Sequence, residues 1–335
     1  MKPSTMFLTN VECTDATGRG LAGEIMKELQ SRGVQPGKLL SLGSDGASVM
    51  TGKHNGCAAI LKRQNPHMIN THCIAHRLAL CTSQAAESIP MLKRHQQILT
   101  DLFYYFKGSA KRAARLHEIQ KLMDDPVLNY KEVHAVRWLS FFSALTTVWR
   151  TLDSLLSYLA ERNHSEDPKA AGLKKKIGTD SFISLTYMLM DAMAPVTILS
   201  QFFQTENIDI ALVQVKLDNC LDKLEQLKSM KTPYLLKLTE DLTGSTFKDH
   251  HITCSPFNLE NITKEFADAL IQNIKSRFPD KELLQCFGVL SMRPLTFLSS
   301  QDLDMYGNNE IDKLCEFYGR TECAMEGKWR QGKEV

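Results

Sequence analysis

The hydrophobic pattern of this chain changes at Pro90, and that change limits the folds available to it. Before Pro90, short apolar runs of strand length alternate with segments whose apolar residues recur at helical spacing. We predict strands over residues 5–11, 38–42 and 68–73. We predict helices over residues 15–32, 56–63 and 76–87, the first with Asp15 as its N-cap. Strands that alternate with helices indicate an α/β fold.

After Pro90 the strand pattern fades and the apolar residues follow helical spacing. Helices are predicted over residues 91–106, 109–123, 137–160, 177–204, 210–230 and 257–275. The fold class expected is therefore an α/β part followed by an all-α part, predominantly helical overall. The predicted domains are an α/β segment at 1–90, a helical domain at 91–320 and a polar, disordered tail at 321–335.

The net charge is small, but the charged residues are unevenly distributed. The 335 residues include 40 Lys and Arg against 38 Asp and Glu, a net charge of +2. Residues 91–176 hold 15 basic and 9 acidic side chains, residues 1–90 hold 9 and 6, and the remainder is acidic. Such asymmetry indicates an anionic partner for the first half only, although ordinary variation in solvated charge explains it equally well.

Cysteine usage and hydropathy bear on the compartment. The nine Cys have no repeated pair spacing, which is typical of reduced thiols rather than of a disulfide framework. The first 15 residues contain no signal-peptide core, and no stretch approaches the roughly 18 apolar residues of a membrane span. We expect an intracellular protein with no membrane contact.

Asp45 is the carboxylate with the clearest chemical context. It follows a predicted strand within the sequence GSDGAS, so it is expected at the carboxyl edge of a sheet, where the sites of α/β folds form. Paired Mg²⁺ ions need two or three converging carboxylates, and only Glu12 and Asp15 lie near another predicted strand end. The same residues also form an ordinary turn sequence, and that interpretation stays open.

His72, Cys73 and His76 form the sequence THCIAH at a strand-to-helix junction. Cys and His three residues apart share a helix face and suit zinc. A structural zinc site needs four ligands, and the nearest further donors are His250, His251 and Cys254. A packing and hydrogen-bond cluster without metal is the alternative interpretation. A nucleophilic Cys–His pair would also need an orienting third group.

Two further groups of residues fit a nucleic-acid role. Arg137 and Trp138 open a predicted helix, and such a pair can contact phosphate and stack on an extruded base. Helical spacing places four cations on one face beside the aromatic run FYYF at 103–106: Lys107, Lys111, Arg112 and Arg115. The competing interpretations are a core tryptophan and a solvated charged face.

Together these segments resemble the hAT transposase family. The resemblance rests on residues 7–33, 39–80, 102–122, 132–145 and 302–319, and the block from Asp45 through His76 is its most specific part. It implies an incomplete ribonuclease-H-like α/β core followed by a long helical insertion. By the same resemblance, Asp45 matches the second of three catalytic acids, Cys73 and His76 match a C-x-x-H motif, and Trp138 of the Arg137–Trp138 pair matches a residue that handles a flipped base.

The departures from the family pattern shape the functional expectation. Three parts of the family pattern are not among these residues. They are the motif of the first catalytic acid (like DESTD), the segment that carries the third acid and the dimerisation surface (like SAECERGFS), and the N-terminal zinc-binding module. We therefore expect a domesticated, catalytically inactive, nuclear protein that binds DNA or other nuclear proteins. We also expect residues 1–90 to fold poorly alone, because the neighbouring strands are not among them.

The cofactors and two alternative functions follow from the same comparison. No cofactor is expected in this chain, and Mg²⁺ or Mn²⁺ would bind at Asp45 only if the site is completed elsewhere. The first alternative is an active transposase or nuclease fragment that completes the site with Glu12, Asp15 or a partner chain. The second is a zinc-dependent protein-interaction module built on Cys73 and His76. The oligomeric state stays open.

Overall fold

The computed structural model describes residues 6–72, 74–133, 138–161, 167–205, 210–277, 286–291 and 306–317. Of these residues 69% are helical, and small parallel and antiparallel sheets supply the strands. The expectation of a predominantly helical protein is therefore confirmed.

The helices and strands of the described residues are numbered here in chain order. The α-helices are α1 Gly18–Ser31, α2 Ser48–Thr51, α3 Cys57–Gln64, α4 Ile74–Glu87, α5 Pro90–Lys107, α6 Ala110–Leu122, α7 Trp138–Arg150, α8 Leu152–Ala160, α9 Pro168–Ile177, α10 Asp180–Phe202, α11 Ile210–Leu227, α12 Pro233–Asp241, α13 Leu259–Arg277 and α14 Asn308–Phe317. The strands are β1 Ser41–Ser44, β2 Ile69–His72, β3 Leu242–Thr243, β4 Thr246–Phe247 and β5 His250–His251.

The chain divides into two compact units. One comprises residues 1–77, 202–216 and 278–335, and the other comprises residues 78–201 and 217–277. The first unit thus contains residues 1–77 of the predicted α/β segment, and the second contains most of the long helices. The predicted domain boundaries at residues 90 and 320 stay predictions, and the predicted tail at 321–335 lies outside the described residues.

The first unit is organised around a two-stranded parallel sheet. Strands β1 and β2 pair in a register that joins Ser41 to Ile69 and Ser44 to His72. Helices α1 and α3 supply the apolar partners of this sheet, in a small core of buried residues: Ala22, Cys57, Leu61 and Met68. The carboxyl ends of the two strands therefore lie at one edge.

The strand predicted over residues 5–11 is wrong for residues 6–11, which have no regular secondary structure. The side chains of Met6 and Phe7 are 77% and 79% exposed. Strand propensity reflects packing on a pleated, half-buried surface, and these side chains have no such surface. A β-rich sequence without a neighbouring ladder does not form a strand.

The N-cap of helix α1 is Thr17, two residues after the predicted cap Asp15. The hydroxyl of Thr17 accepts a hydrogen bond from Gly20 N at 3.2 Å, which makes Thr17 the N-cap. The carboxylate of Asp15 instead accepts a hydrogen bond from Thr17 N at 2.9 Å. The predicted cap at Asp15 is therefore wrong, although its side chain supports the same turn.

The second unit has its core among α5, α7, α8 and α10. Helix α10 is long and apolar enough to cross a membrane by length and composition, but most of its side chains are buried inside the protein, as in a core helix. The expectation that no stretch approaches the roughly 18 apolar residues of a membrane span is therefore wrong for this 23-residue helix. The helix predicted over residues 137–160 is broken at Thr151 into α7 and α8.

Helices α9 and α12 and the small antiparallel sheet of the second unit were not predicted. Helix α9 fills most of the gap between the helices predicted over residues 137–160 and 177–204, and it begins with Asp167 as N-cap and Pro168 in its first turn. Helix α12 and the antiparallel strands β3, β4 and β5 lie between the helices predicted over residues 210–230 and 257–275. Gly244 turns the first hairpin with φ +58°, a conformation that glycine adopts without strain.

The cysteines fall into two groups among the described residues. Six cysteines are not disulfide-bonded: Cys13, Cys57, Cys81, Cys220, Cys254 and Cys286. Cys315 is disulfide-bonded, so the expectation of reduced thiols throughout is wrong at this residue.

Candidate functional site

Asp45 lies directly after β1, at the carboxyl edge of the parallel sheet, as expected from the sequence. Its side chain is exposed, and Oδ1 accepts a hydrogen bond from Ala47 N at 3.1 Å. This contact is the geometry of an Asx turn, so it matches the turn interpretation of GSDGAS. Because Ser44 pairs with His72 in the sheet, Asp45 and His72 come to the same edge.

The THCIAH segment is only partly described. His72 ends β2 and His76 lies in the first turn of α4, whereas Cys73 lies outside the described residues. Within the described ranges, no group of three or more His, Cys, Asp or Glu side chains could hold a metal ion. His250, the nearest further donor considered, is instead 2.7 Å from Asp153, with its Nε2 donating to the carboxylate Oδ1.

Of the Arg137–Trp138 pair, the structure places only the backbone of Trp138. Trp138 is the first residue of α7, which agrees with the predicted helix start within one residue. Arg137 and the side chain of Trp138 lie outside what the structure describes. Their proposed contacts with a base and a phosphate stay predictions.

Lys107 is the last residue of α5 and Lys111 is the second residue of α6, and both side chains are exposed. The ammonium of Lys107 lies 5.0 Å from the ring centroid of Phe103 and 5.9 Å from that of Tyr104, within cation–π range. Lys111 is in the first turn of α6, and within the described ranges it makes no ion pair. These two lysines keep their charges available to an external anion.

Arg112, in contrast, is a structural residue. Its Nη2 donates to Asp167 Oδ2 at 3.0 Å and its Nη1 donates to the carbonyl of Tyr105 at 3.2 Å. The guanidinium carbon lies 4.2 Å from the ring centroid of Tyr105. Desolvation would raise the pKa of Asp167, but the hydrogen bond from Lys169 N and the charge of Arg112 lower it overall. Arg112 therefore joins α6 to the start of α9.

Arg115 is also neutralised within the protein. It donates to both oxygens of the Glu161 carboxylate, and its Nη1 donates to Glu118 at 2.8 Å. The hydrogen bonds to Glu161 and Glu118 raise the pKa of the guanidinium, which stays charged. A phosphate at Arg115 would have to displace two carboxylates. Of the four predicted cations, the structure leaves Lys107 and Lys111 the most accessible.

Helix α9 adds cations that the sequence analysis did not single out. Lys174 and Lys175 are exposed in its last turn, and Lys176 donates to Asp101 of α5 at 2.9 Å. The run KKK is visible in the sequence, but no helix was predicted over residues 168–176. Cations at the end of a helix are also favoured by the helix dipole, so their position has a structural explanation as well.

No protein-family model matches the chain, and no solved structure matches it. The hAT resemblance therefore remains a prediction from the residues that carry it.

Proposed function

We propose that this chain is a domesticated, catalytically inactive hAT transposase-derived protein of the nucleus that binds nucleic acid. The observation that carries the proposal is the exposed pair Lys107 and Lys111 beside the aromatic end of α5. The surrounding residues 91–176 hold 15 basic and 9 acidic side chains, so the local field favours an anion. Phosphate contacts by lysines would supply most of the affinity.

The α/β segment fits the same proposal. A parallel pair of strands packed on helices is consistent with part of a ribonuclease-H-like core, the finer fold that the resemblance implies. Parallel sheets are normally covered on both faces, and additional strands would complete this one. The proposal assigns Asp45 a vestigial role, because its carboxylate is engaged by Ala47 N in a turn.

Salt dependence tests the binding proposal. The affinity of the full chain for a fluorescent DNA duplex and for a single strand would be measured by anisotropy over a series of salt concentrations. Replacing Lys107 and Lys111 together by alanine should reduce the slope of log K against log salt by about 2, because each phosphate contact contributes about 1. Lys223→Ala, an exposed lysine on α11, is the matched control. A flat salt response of the unmodified chain would overturn the proposal.

An active nuclease fragment is the second candidate, favoured by one observation. The register of β1 and β2 brings Asp45 and His72 to one edge, where a divalent cation could bind if further ligands came from elsewhere. A plasmid-nicking assay with Mn²⁺ would compare the chain with its Asp45→Asn variant. Nicking that the substitution abolishes would favour this candidate over the inactive protein.

A further inference from the structure

One aromatic ring of the basic region faces the solvent. The aromatic run ends α5, and within it Tyr105 and Phe106 are each 5% exposed, whereas Tyr104 is 53% exposed. The ring of Tyr104 meets Phe103 edge-on, with centroids 5.1 Å apart and an interplanar angle of 68°. This arrangement fixes the ring against its neighbour while part of its surface remains in water.

One cation lies beside this ring, and a second follows at the start of the next helix. The ammonium of Lys107 lies 5.9 Å from the Tyr104 centroid, one helical turn further along α5. Lys111 follows four residues later at the start of α6 and is exposed. We call Phe103, Tyr104, Lys107 and Lys111 the Tyr104 patch. It combines an accessible aromatic surface with two available positive charges.

We infer that the Tyr104 patch binds single-stranded nucleic acid in preference to a duplex. This inference rests on the proposed nucleic-acid-binding function and specifies its substrate. Bases within a duplex are already stacked on each other, so an exposed tyrosine ring can stack only on an unpaired, unstacked base. Lys107 beside the ring and Lys111 at the start of α6 then contact phosphates of the same strand.

Glu132 limits the affinity of the patch. The hydroxyl of Tyr104 donates to Glu132 Oε1 at 2.8 Å, and this hydrogen bond raises the pKa of the phenol. The bond holds the ring in place, but the carboxylate also repels a phosphate that approaches Lys107. The two effects are separable, because glutamine at position 132 keeps an acceptor oxygen and removes the charge.

Binding of a fluorescent 15-mer of thymidine to the full chain would be compared with binding of a mixed-sequence duplex. Tyr104→Ala should weaken single-strand binding about tenfold, the loss of one base–aromatic stack, and should leave duplex binding within about twofold. Tyr104→Phe keeps the ring and should bind the single strand within about twofold of the unmodified chain. Glu132→Gln should tighten single-strand binding about twofold. Lys223→Ala should change neither.

The outcomes separate this inference from the proposed function. If the chain binds DNA with a steep salt dependence but Tyr104→Ala leaves single-strand binding unchanged, the Tyr104 patch is not the site and nucleic-acid binding stands. A preference for the duplex overturns the inference in the same way. If neither probe binds, both the inference and the proposed function are overturned.

Discussion

The Nε2 atom of His95 lies 2.9 Å from Oγ1 of Thr186, within the core of the second unit. The threonine hydroxyl already donates to the carbonyl of Phe182, so it accepts from the imidazole, and the proton of neutral His95 is on Nε2. Within the described residues, Nδ1 is buried and has no hydrogen-bond partner. The ring also stacks on Phe182 with centroids 4.6 Å apart. This site accommodates a neutral histidine only.

Acid should therefore destabilise the second unit through His95. Burial lowers the pKa of this imidazole from 6.5 to about 3. Because the unfolded state takes up a proton near pH 6.5 and the folded state does not, stability falls as the pH drops from about 6.5 towards 3. At pH 4.5 this residue alone should reduce the free energy of unfolding by about 2–3 kcal/mol relative to pH 7.

Urea denaturation of the unmodified chain and of His95→Gln at both pH values measures this contribution. Glutamine can still donate to Thr186 but does not titrate, so the variant should lose less stability on acidification. Equal losses of stability in the two proteins would show that His95 does not contribute to the destabilisation by acid.

Asp153 should also make an acid-sensitive contact, one that requires a charged group rather than a neutral one. It accepts from His250 Nε2 at 2.7 Å and from Lys248 Nζ at 2.9 Å, which joins α8 to the small antiparallel sheet. The hydrogen bond from His250, then that from Lys248, lowers the pKa of the carboxyl against the effect of burial. The stability it contributes is present above the unfolded pKa and is lost as the pH falls through the folded value.

Asp153→Asn should lower the free energy of unfolding at pH 7 by about 1–3 kcal/mol, because a hydrogen bond between charged groups is lost. The difference between variant and unmodified chain should shrink below the folded pKa of the carboxyl, where Asp153 is itself protonated. Hydrogen exchange at the amides of β4 and β5 would show whether the loss is local. A constant difference at every pH would contradict the ion-pair explanation.

Two glycines of α1 should respond oppositely to alanine. A Cβ at Gly18 would lie 2.2 Å from Asn55 O and 2.8 Å from Val49 O, both backbone atoms that cannot move freely. At Gly23, in the middle of the same helix, a Cβ meets nothing within 4 Å. Gly18→Ala should destabilise the chain by about 1–3 kcal/mol, the usual range for overpacking. Gly23→Ala should stabilise it by about 0.5–1 kcal/mol.

Thermal denaturation of the two variants checks this pair directly. Both substitutions add the same methyl group to the same helix, but Gly18 is its first residue and Gly23 lies in its interior, where alanine gains more in helix propensity. A similar response from both positions would mean that the close approach of residues 49–57 to Gly18 is absent in solution.

Arg112 and Lys111 are adjacent in sequence, but Arg112 should contribute to stability and Lys111 to DNA binding. Arg112→Ala removes the contacts with Asp167 and the Tyr105 carbonyl, and should cost about 1–3 kcal/mol of stability. Lys111→Ala should change stability by less than about 0.5 kcal/mol. Urea denaturation measures both stability changes. The slope of log K against log salt for DNA binding should change more in Lys111→Ala than in Arg112→Ala. Equal stability losses would contradict the separation of structural from available cations.

The sequence predicted local features of this fold more accurately than it predicted long-range contacts. The apolar spacing of residues 91–106 gives α5 with one extra residue at each end, because the periodicity of a helix is contained within the helix. Asp15 and Thr17 are both good N-cap residues, and propensity alone does not decide between them. The geometry of the following turn selects Thr17, since its hydroxyl reaches Gly20 N.

The cations of the candidate site also show that local sequence patterns do not predict long-range contacts. Helical spacing predicted one helix face for Lys107, Lys111, Arg112 and Arg115. This prediction is wrong, because Lys107 ends α5 and the other three lie on α6. The spacing also could not show which cations are already paired. The partners of the two arginines, Asp167 and Glu161, lie 55 and 46 residues further along the chain. Such pairs depend on the packing of α6, α8 and α9, which no local pattern contains. The availability of a surface charge is a tertiary property.

The two-unit division has a consequence for synthesis. The Nδ1 atom of His67 lies 2.9 Å from the carbonyl oxygen of Phe317, a contact within the first unit between residues 250 positions apart. At the ribosomal rate of about 5–20 residues per second, roughly 12–50 s pass between the two residues. During that interval every residue of the second unit is made. The strands of the first unit are thus translated before the second unit, but their contact with Phe317 can form only after the second unit has been made.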